Sequence, residues 1–121
     1  MGRKAKVEIV LDCAEPTTLA EFWCEALGYR DYYTDANLAV LVPAEGTASA
    51  LLLQRVPEPK AGKNRMHIDI VADDVEAEVH RLQALGARRV DKGVQSFGGT
   101  RWVVMSDPEQ NEFCVSTGVE W

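Results

Sequence analysis

Apolar and polar positions alternate over residues 7–13, which predicts a strand with Ile9 and Leu11 on one face and Glu8 on the other. Apolar residues then recur at helical spacing up to Gly28, a residue type that commonly ends helices. Further apolar runs predict strands at residues 30–33, 38–42 and 49–56. The first half of the chain is therefore predicted to fold in the order β-α-β-β-β.

The same order is predicted again in the second half. Residues 66–71 alternate like a strand and are followed by a helical stripe that stops at Gly86. Asp73 is the predicted N-cap of this helix, and Glu76 is placed to complete a capping box. Strands are predicted at residues 88–90, 100–105 and 112–117, with turns at 95–99 and 106–111.

The chain is predicted to be one α+β domain, 1–121, built from two βαβββ modules in tandem. Residues 1–5 form a polar lead-in, module one covers about 5–56, a linker rich in proline and lysine covers 57–64, and module two covers about 65–121. Two helices cannot cover both faces of eight strands. We therefore expect a mixed β-sheet cup with the helices on the outside and a ligand site on the concave face.

Composition limits the partners and the compartment. The formal net charge of -6 leaves no basic stripe for nucleic acid, and no apolar run has the roughly 18 residues needed to span a bilayer. The three cysteines are an odd number, which does not suit a disulfide framework. With no signal peptide recognised at its start, the chain is expected to be cytoplasmic, without membrane or nucleic-acid partners.

The chain resembles the vicinal oxygen chelate superfamily, which holds glyoxalases, bleomycin-resistance proteins and extradiol dioxygenases. The resemblance is carried by the paired modules, by His67-Ile68-Asp69 at the start of the second module, and by the run Asp107-Pro108-Glu109-Gln110-Asn111-Glu112-Phe113. The glyoxalase-like group within this superfamily is the nearest match. The resemblance implies a homodimer that binds a small organic ligand.

The resemblance also implies positions for metal ligands, which fall on Glu8, about Gln54, His67 and Cys114. Glu8 and His67 are suitable ligand types, to be completed by Gln54 or Cys114. Cys114 stands where metal-using glyoxalases carry a glutamate, and a thiol is a poor substitute for a proton-moving carboxylate. True glyoxalase I activity is therefore not expected. We expect either no cofactor or a weakly held divalent metal ion.

The predicted ligand pocket is built from side chains on the concave faces of the predicted strands. These residues are Glu8, Gln54, His67, Asp69, Trp102 and Cys114. Each has an ordinary alternative: His67 and Asp69 as an internal hydrogen-bonded pair, Cys114 as a small apolar filler, and Trp102 as a core residue.

Three functions follow from these patterns, and catalytic residues are not assigned. The first is a small-molecule binding protein of the glyoxalase/bleomycin-resistance type. The second is a metal-dependent lyase, isomerase or dioxygenase that uses Glu8 and His67. The third is a structural or interaction module whose cup is filled by side chains. The ligand set separates the first two functions, and a cavity of a few hundred Å³ separates both from the third.

Overall fold

A computed structural model describes residues 6–90 and 93–119, and the chain divides into two compact units between Pro59 and Lys60. The predicted lead-in at 1–5 and the outer ends of both predicted modules lie outside the described residues. The first unit contains β1 (Ile9–Cys13), α1 (Pro16–Leu27), β2 (Tyr29–Thr34), β3 (Leu38–Pro43) and β4 (Leu51–Arg55). The second unit contains β5 (Asp69–Val71), α2 (Val75–Ala84), β6 (Arg88–Arg89), β7 (Gln95–Phe97), β8 (Thr100–Ser106) and β9 (Glu112–Ser116).

The first unit is an open mixed sheet with α1 packed on one face, in the order β1-β4-β3-β2. Helix α1 begins with Pro16, whose fixed φ suits the first turn, and ends at Gly28 in the left-handed conformation with φ 68°. Its apolar stripe, which includes Leu19 and Trp23, is almost completely buried. Leu41 and Leu53 are also fully buried, so this face of the sheet and the stripe of α1 form the core of the unit.

The opposite face of the first sheet carries Val10, Asp12 and Gln54, which alternate with the core positions along their strands. β1 runs parallel to β4, and this register places Asp12 beside Gln54. Both side chains are exposed on this face.

The second unit repeats the design with a sheet in the order β5-β9-β8-β6, in which β5 runs parallel to β9. Helix α2 packs on β6, β8 and β9 through its buried residues Val75, Val79 and Leu82. Two helices on two open mixed sheets confirm the predicted α+β class. The strands between residues 93 and 119 include one that the sequence did not predict, which is β7.

Residues 95–99 were predicted as a turn, and this is wrong for Gln95–Phe97, which form β7. Gly98 and Gly99 have φ of 58° and 86°, so two residues suffice for the hairpin turn between β7 and β8. The shorter turn leaves Gln95 to pair with Trp102 and Phe97 to pair with Thr100. The predicted strand at 66–71 was also too long, since β5 begins at Asp69.

The N-cap of α2 is Asp74 rather than the predicted Asp73. Asp74 Oδ1 accepts a hydrogen bond from the Ala77 N–H at 3.0 Å, which satisfies one of the free donors of the first turn. Glu76 does not close a capping box in the described geometry. Its carboxylate instead forms an ion pair with Arg89 at 2.8 Å.

The turn before β9 is held together by the buried Asp107 carboxylate. Asp107 Oδ1 accepts from the backbone N–H of Glu109 and of Asn111, at 2.8 and 2.9 Å, and Oδ2 accepts from the Asn111 amide at 3.0 Å. These bonds order the turn residues themselves, which agrees with the conformational role predicted for them.

Across residues 6–90 and 93–119, the helices are all too short or too polar to cross a membrane.

Candidate functional site

The face of the second sheet opposite α2 is built by the alternation of β8 and β9. Val103, Met105, Phe113 and Val115 are fully buried core residues. Cys114 lies between two of these positions on β9, so its side chain projects from the opposite face. Val104 is its cross-strand neighbour on β8.

The parallel pairing of β5 with β9 brings a carboxylate to Cys114. Asp69 is the direct partner of Cys114 in this register, and the Cys114 N–H donates to the Ile68 carbonyl at 3.0 Å. His67 lies two positions before Asp69, just outside β5, and its imidazole contacts the Asp69 carboxylate. The sequence predicted that His67 and Asp69 share a face, but only the register places Cys114 beside them.

The three side chains form one cluster, which we call the His-Asp-Cys cluster. His67 Nδ1 lies 3.1 Å from Asp69 Oδ1, and one ligand atom from each of His67, Asp69 and Cys114 lies within 4.8 Å of the others. The side chains of His67 and Asp69 are 42% and 43% exposed, whereas Cys114 is only 4% exposed. The thiol therefore sits at the floor of the cluster, and the imidazole and carboxylate lie nearer to solvent.

The cluster opens into a cavity of about 740 Å³, and the described residues that line it all belong to the second unit. Trp102, Val104 and Val90 give this cavity its apolar part. Lys63, Gln95 and Glu112 add polar groups of both charges to the wall. Apolar walls with a few convergent polar groups are typical of pockets for small organic molecules.

Glu112 and Lys63 were not predicted as pocket residues. Glu112 Oε1 accepts a hydrogen bond from the Asn64 N–H at 2.8 Å, which ties the segment before β5 to the start of β9. The signal for Glu112 was present in the sequence, because it stands two positions before Cys114 on the same strand face. Lys63 lies in the predicted linker, where no periodic pattern gave its side chain a direction.

Glu8 and Gln54 belong to the first unit. Glu8 is exposed and precedes β1, so the predicted strand started too early, and Gln54 is exposed on β4. Neither residue lines the cavity of the second unit. The proposal that they join His67 in one metal or ligand site stays a prediction.

The His-Asp-Cys cluster suits a divalent metal ion by its chemistry. Imidazole, carboxylate and thiolate are the three ligand types that zinc takes in proteins. Asp69 was predicted to line the pocket but not to bind metal, so the structure adds it to the possible ligand set. Because Asp69 pairs with Cys114, a carboxylate stands beside the thiol.

The first unit has a smaller cavity of about 440 Å³ around Asn37, Arg55 and Pro57. The Arg55 N–H donates to the Asn37 carbonyl at 2.9 Å, so the wall of this cavity is partly backbone. The predicted pocket residues do not line it.

Comparisons with known proteins agree with this architecture. Among solved structures, a point mutant of the fosfomycin resistance protein FosX from Listeria monocytogenes, in complex with Mn(II) and 1S,2S-dihydroxypropylphosphonic acid, has a TM-score of 0.74 at 14% identity, covering 98% of this chain and 93% of that chain. The bleomycin-binding protein of Streptomyces verticillus, in complex with copper(II)-bleomycin, has a TM-score of 0.68 at 17% identity, covering 98% and 100%. A glyoxalase/bleomycin resistance protein/dioxygenase family enzyme from Burkholderia phytofirmans PsJN has a TM-score of 0.74 at 14% identity, covering 90% and 94%.

At such low sequence identity, the structural similarity to these proteins shows a shared fold and nothing more specific. No curated protein matches the chain significantly by sequence. The model of the glyoxalase-like domain family, however, matches residues 8–116, which is nearly the whole chain. The resemblance to the vicinal oxygen chelate superfamily is thereby confirmed, and the chain belongs to the glyoxalase-like domain family.

Proposed function

We propose that this protein binds a small organic molecule in the cavity of its second unit. The observation that carries the proposal is the cavity of about 740 Å³, which falls within the range of roughly 300 to 1,000 Å³ that is usual for ligand pockets. Its walls combine the Trp102 ring with the ionisable groups of Lys63, His67 and Glu112. Such a lining favours a ligand with one apolar and one polar part.

The cavity volume favours binding over the third predicted function, a module whose concave face is filled by side chains. Two of the fold relatives carry small ligands in their crystal structures, namely copper(II)-bleomycin and a dihydroxypropylphosphonic acid. They support small-molecule binding as the class of function for this chain.

The binding proposal is tested by filling the cavity. A collection of small organic compounds is added to ¹⁵N-labelled protein, and we expect some of them to shift the indole N–H signal of Trp102 and the amide signal of Cys114. Val104→Trp, in the cavity wall, should abolish these shifts while the remaining spectrum stays dispersed. Val71→Trp is the matched control, because Val71 is exposed outside the cavity. Equal binding by both variants, or no binding by the parent protein, contradicts the proposal.

A second candidate function is a metal-dependent lyase, isomerase or dioxygenase. The observation that favours it is the His-Asp-Cys cluster, whose ligand atoms lie within 4.8 Å of one another. His67, Asp69 and Cys114 would hold the ion, and the ion would supply Lewis acidity toward a bound oxygen. Asp69 would keep the His67 ring oriented and provide a carboxylate beside the reacting group.

We expect the purified protein to hold a divalent metal weakly, below one ion per chain. The reason is that His67 and Asp69 are both substantially exposed, so they form a loose cluster rather than a closed four-ligand site. Elemental analysis of tag-free protein after dialysis measures this directly. Stoichiometric zinc, nickel, manganese or iron that disappears in His67→Ala would place the enzyme function first.

We further propose a cytoplasmic homodimer without nucleic-acid or membrane partners. The three cysteines, which all occur as thiols, support the compartment, and the net charge of -6 argues against a nucleic-acid partner. The prediction that both units form one domain with a shared concave site also stays a proposal.

A further inference from the structure

The His-Asp-Cys cluster contains a thiol that can act as a nucleophile, an imidazole that can act as a base, and a carboxylate that can orient the imidazole. Asp69 lies 3.1 Å from His67 Nδ1 and so favours the imidazole tautomer that carries its proton on Nδ1. The second ring nitrogen, Nε2, is then the basic one. A ring nitrogen of His67 and the Cys114 sulfur lie within 4.8 Å of each other. Catalytic contacts of this kind are often long without substrate and shorten when it binds.

Charged groups of both signs line the cavity around the thiol. Asp69 and Glu112 are its acidic groups, and Lys63 is its basic group. The side chain of His67 is 42% exposed, which leaves it room to turn toward the sulfur. A half-exposed base above a buried thiol directs reaction to molecules that have entered the cavity.

We propose that Cys114 captures α,β-unsaturated carbonyl compounds that bind in this cavity, with His67 as base and Asp69 as the residue that positions it. This inference rests on the proposed small-molecule binding. A thiolate is a soft nucleophile and suits the β-carbon of such an electrophile. The apolar wall at Trp102 and Val104 accommodates the carbon chain, and Lys63 supplies a cation for the carbonyl oxygen.

The reaction balances without any further reactant. The S–H proton of Cys114 passes to His67 as the sulfur forms a bond to the β-carbon. The electron pair of the carbon–carbon double bond moves toward the carbonyl and gives an enolate. The enolate then takes the proton back from His67 at its α-carbon. The product is a stable thioether, and neither an oxidant nor a reductant is consumed.

The chain provides its own control for accessibility. Cys13 and Cys114 are each 4% exposed, so burial alone predicts that both thiols react at the same slow rate. Cys24 is more exposed. Burial raises the pKa of the Cys24 thiol, and the carboxylates of Asp31 and Glu25 raise it further. Differences in reaction rate among the three thiols therefore depend on the neighbouring groups as well as on access to solvent.

The test uses N-ethylmaleimide, an α,β-unsaturated carbonyl compound, on native protein dialysed against a chelator so that no metal masks the thiol. Peptide mass spectrometry follows the adduct at each cysteine with time. We expect Cys114 to react at least about tenfold faster than Cys13. We expect His67→Ala to slow Cys114 by about tenfold or more, and Asp69→Asn to slow it less, while the rate at Cys24 is unchanged.

A rate at Cys114 equal to that at Cys13, or one that His67→Ala leaves unchanged, overturns the proposal. A ¹⁵N spectrum that stays dispersed for residues of the second unit shows that each variant is folded, and His80→Ala is the matched histidine control on the exposed face of α2. The two proposals fail separately. If compounds that are not electrophiles still shift the Trp102 signal while Cys114 is unreactive, the covalent step is wrong and the binding function stands.

Discussion

At the scale of residues, the contact between His67 and Asp69 is half-exposed, so it is expected to contribute little to folding. Its two atoms lie 3.1 Å apart, but both side chains remain more than 40% exposed to solvent. Water and salt screen such pairs, and each side chain loses conformational freedom when they form. The value of the pair is therefore expected in ligand binding or reactivity rather than in stability.

The first prediction follows from this exposure. We expect His67→Ala to lower the free energy of unfolding by less than about 1 kcal/mol, measured by urea denaturation, while it changes ligand affinity in the cavity. His80→Ala should change neither quantity. A loss of several kcal/mol in His67→Ala would instead show that the pair is part of the structural framework.

The sequence predicted part of this cluster and missed the rest for a physical reason. Alternation along β9 placed Cys114 with Glu112 and Ser116, and alternation before β5 placed His67 with Asp69. The contact between the two sets depends on the parallel register of β5 with β9, which is set by packing between segments distant along the chain. No local pattern carries that register, so Asp69 was not predicted as a partner of Cys114.

At the scale of elements, helix α2 shows where local signals suffice and where they are ambiguous. Its apolar stripe predicted Val75, Val79, Leu82 and Leu85 as buried residues; the first three lie in the core, whereas Leu85 at the end of the helix is only half-buried. Asp73 and Asp74 are both good N-cap residues, and the pattern alone does not separate them. The extra strand β7, in contrast, has no local signal of its own. Gln95–Phe97 shows no apolar alternation, and it pairs with β8 through the turn formed by the two glycines that follow.

The second prediction separates the two candidate caps. Asp74→Ala should lower the free energy of unfolding by about 1 kcal/mol, because the hydrogen bond from the Ala77 N–H is lost. Asp73→Ala, the matched control one position earlier, should change it by less than about 0.5 kcal/mol. Chemical denaturation of the two variants side by side provides the measurement. A larger loss of unfolding free energy in Asp73→Ala than in Asp74→Ala would instead identify Asp73 as the N-cap.

The third prediction concerns the pH dependence contributed by α2. Two hydrogen bonds from the Arg81 guanidinium, at 2.9 and 2.7 Å, hold the pKa of Glu78 below its ordinary value. A lowered folded-state pKa means that this stabilisation is complete above the unfolded-state pKa and is lost as pH falls through the folded-state pKa. Glu78→Gln should therefore destabilise by about 0.5 kcal/mol at neutral pH and by nothing measurable near about pH 2.

A double-mutant cycle with Arg81→Ala tests the cause of that pH dependence. If the pair is responsible, Glu78→Gln should have no pH-dependent effect once Arg81 is absent. An effect of Glu78→Gln that persists unchanged in the Arg81→Ala background would assign the stabilisation to another group.

At the scale of the whole molecule, the described residues leave several large apolar side chains in solvent. Phe97 is 81% exposed, Met66 70% and Tyr32 68%. Each unit has one helix-covered sheet face. Exposed side chains of this size are candidates for burial at an interface with another molecule.

The fourth prediction is that the chain forms a homodimer in solution. Sedimentation equilibrium at micromolar concentration should give about twice the chain mass of 13.4 kDa. Raising the salt concentration should leave an apolar interface intact, which distinguishes it from association through charge. A single species at the mass of one chain across this range would contradict the prediction.

The parallel pairing of β5 with β9 has a consequence for folding. The first and last strands of the second unit are neighbours, and the Asn64–Glu112 hydrogen bond spans a sequence separation of 48 residues. Contacts across so long a loop form late, because the entropy of closing the loop must be overcome before they contribute. Until that step, the Cys114 thiol is unshielded and lies far from His67. Refolding in the presence of an alkylating reagent should therefore label Cys114 at the rate of an unfolded thiol until the unit closes, and at the rate set by the His-Asp-Cys cluster afterwards.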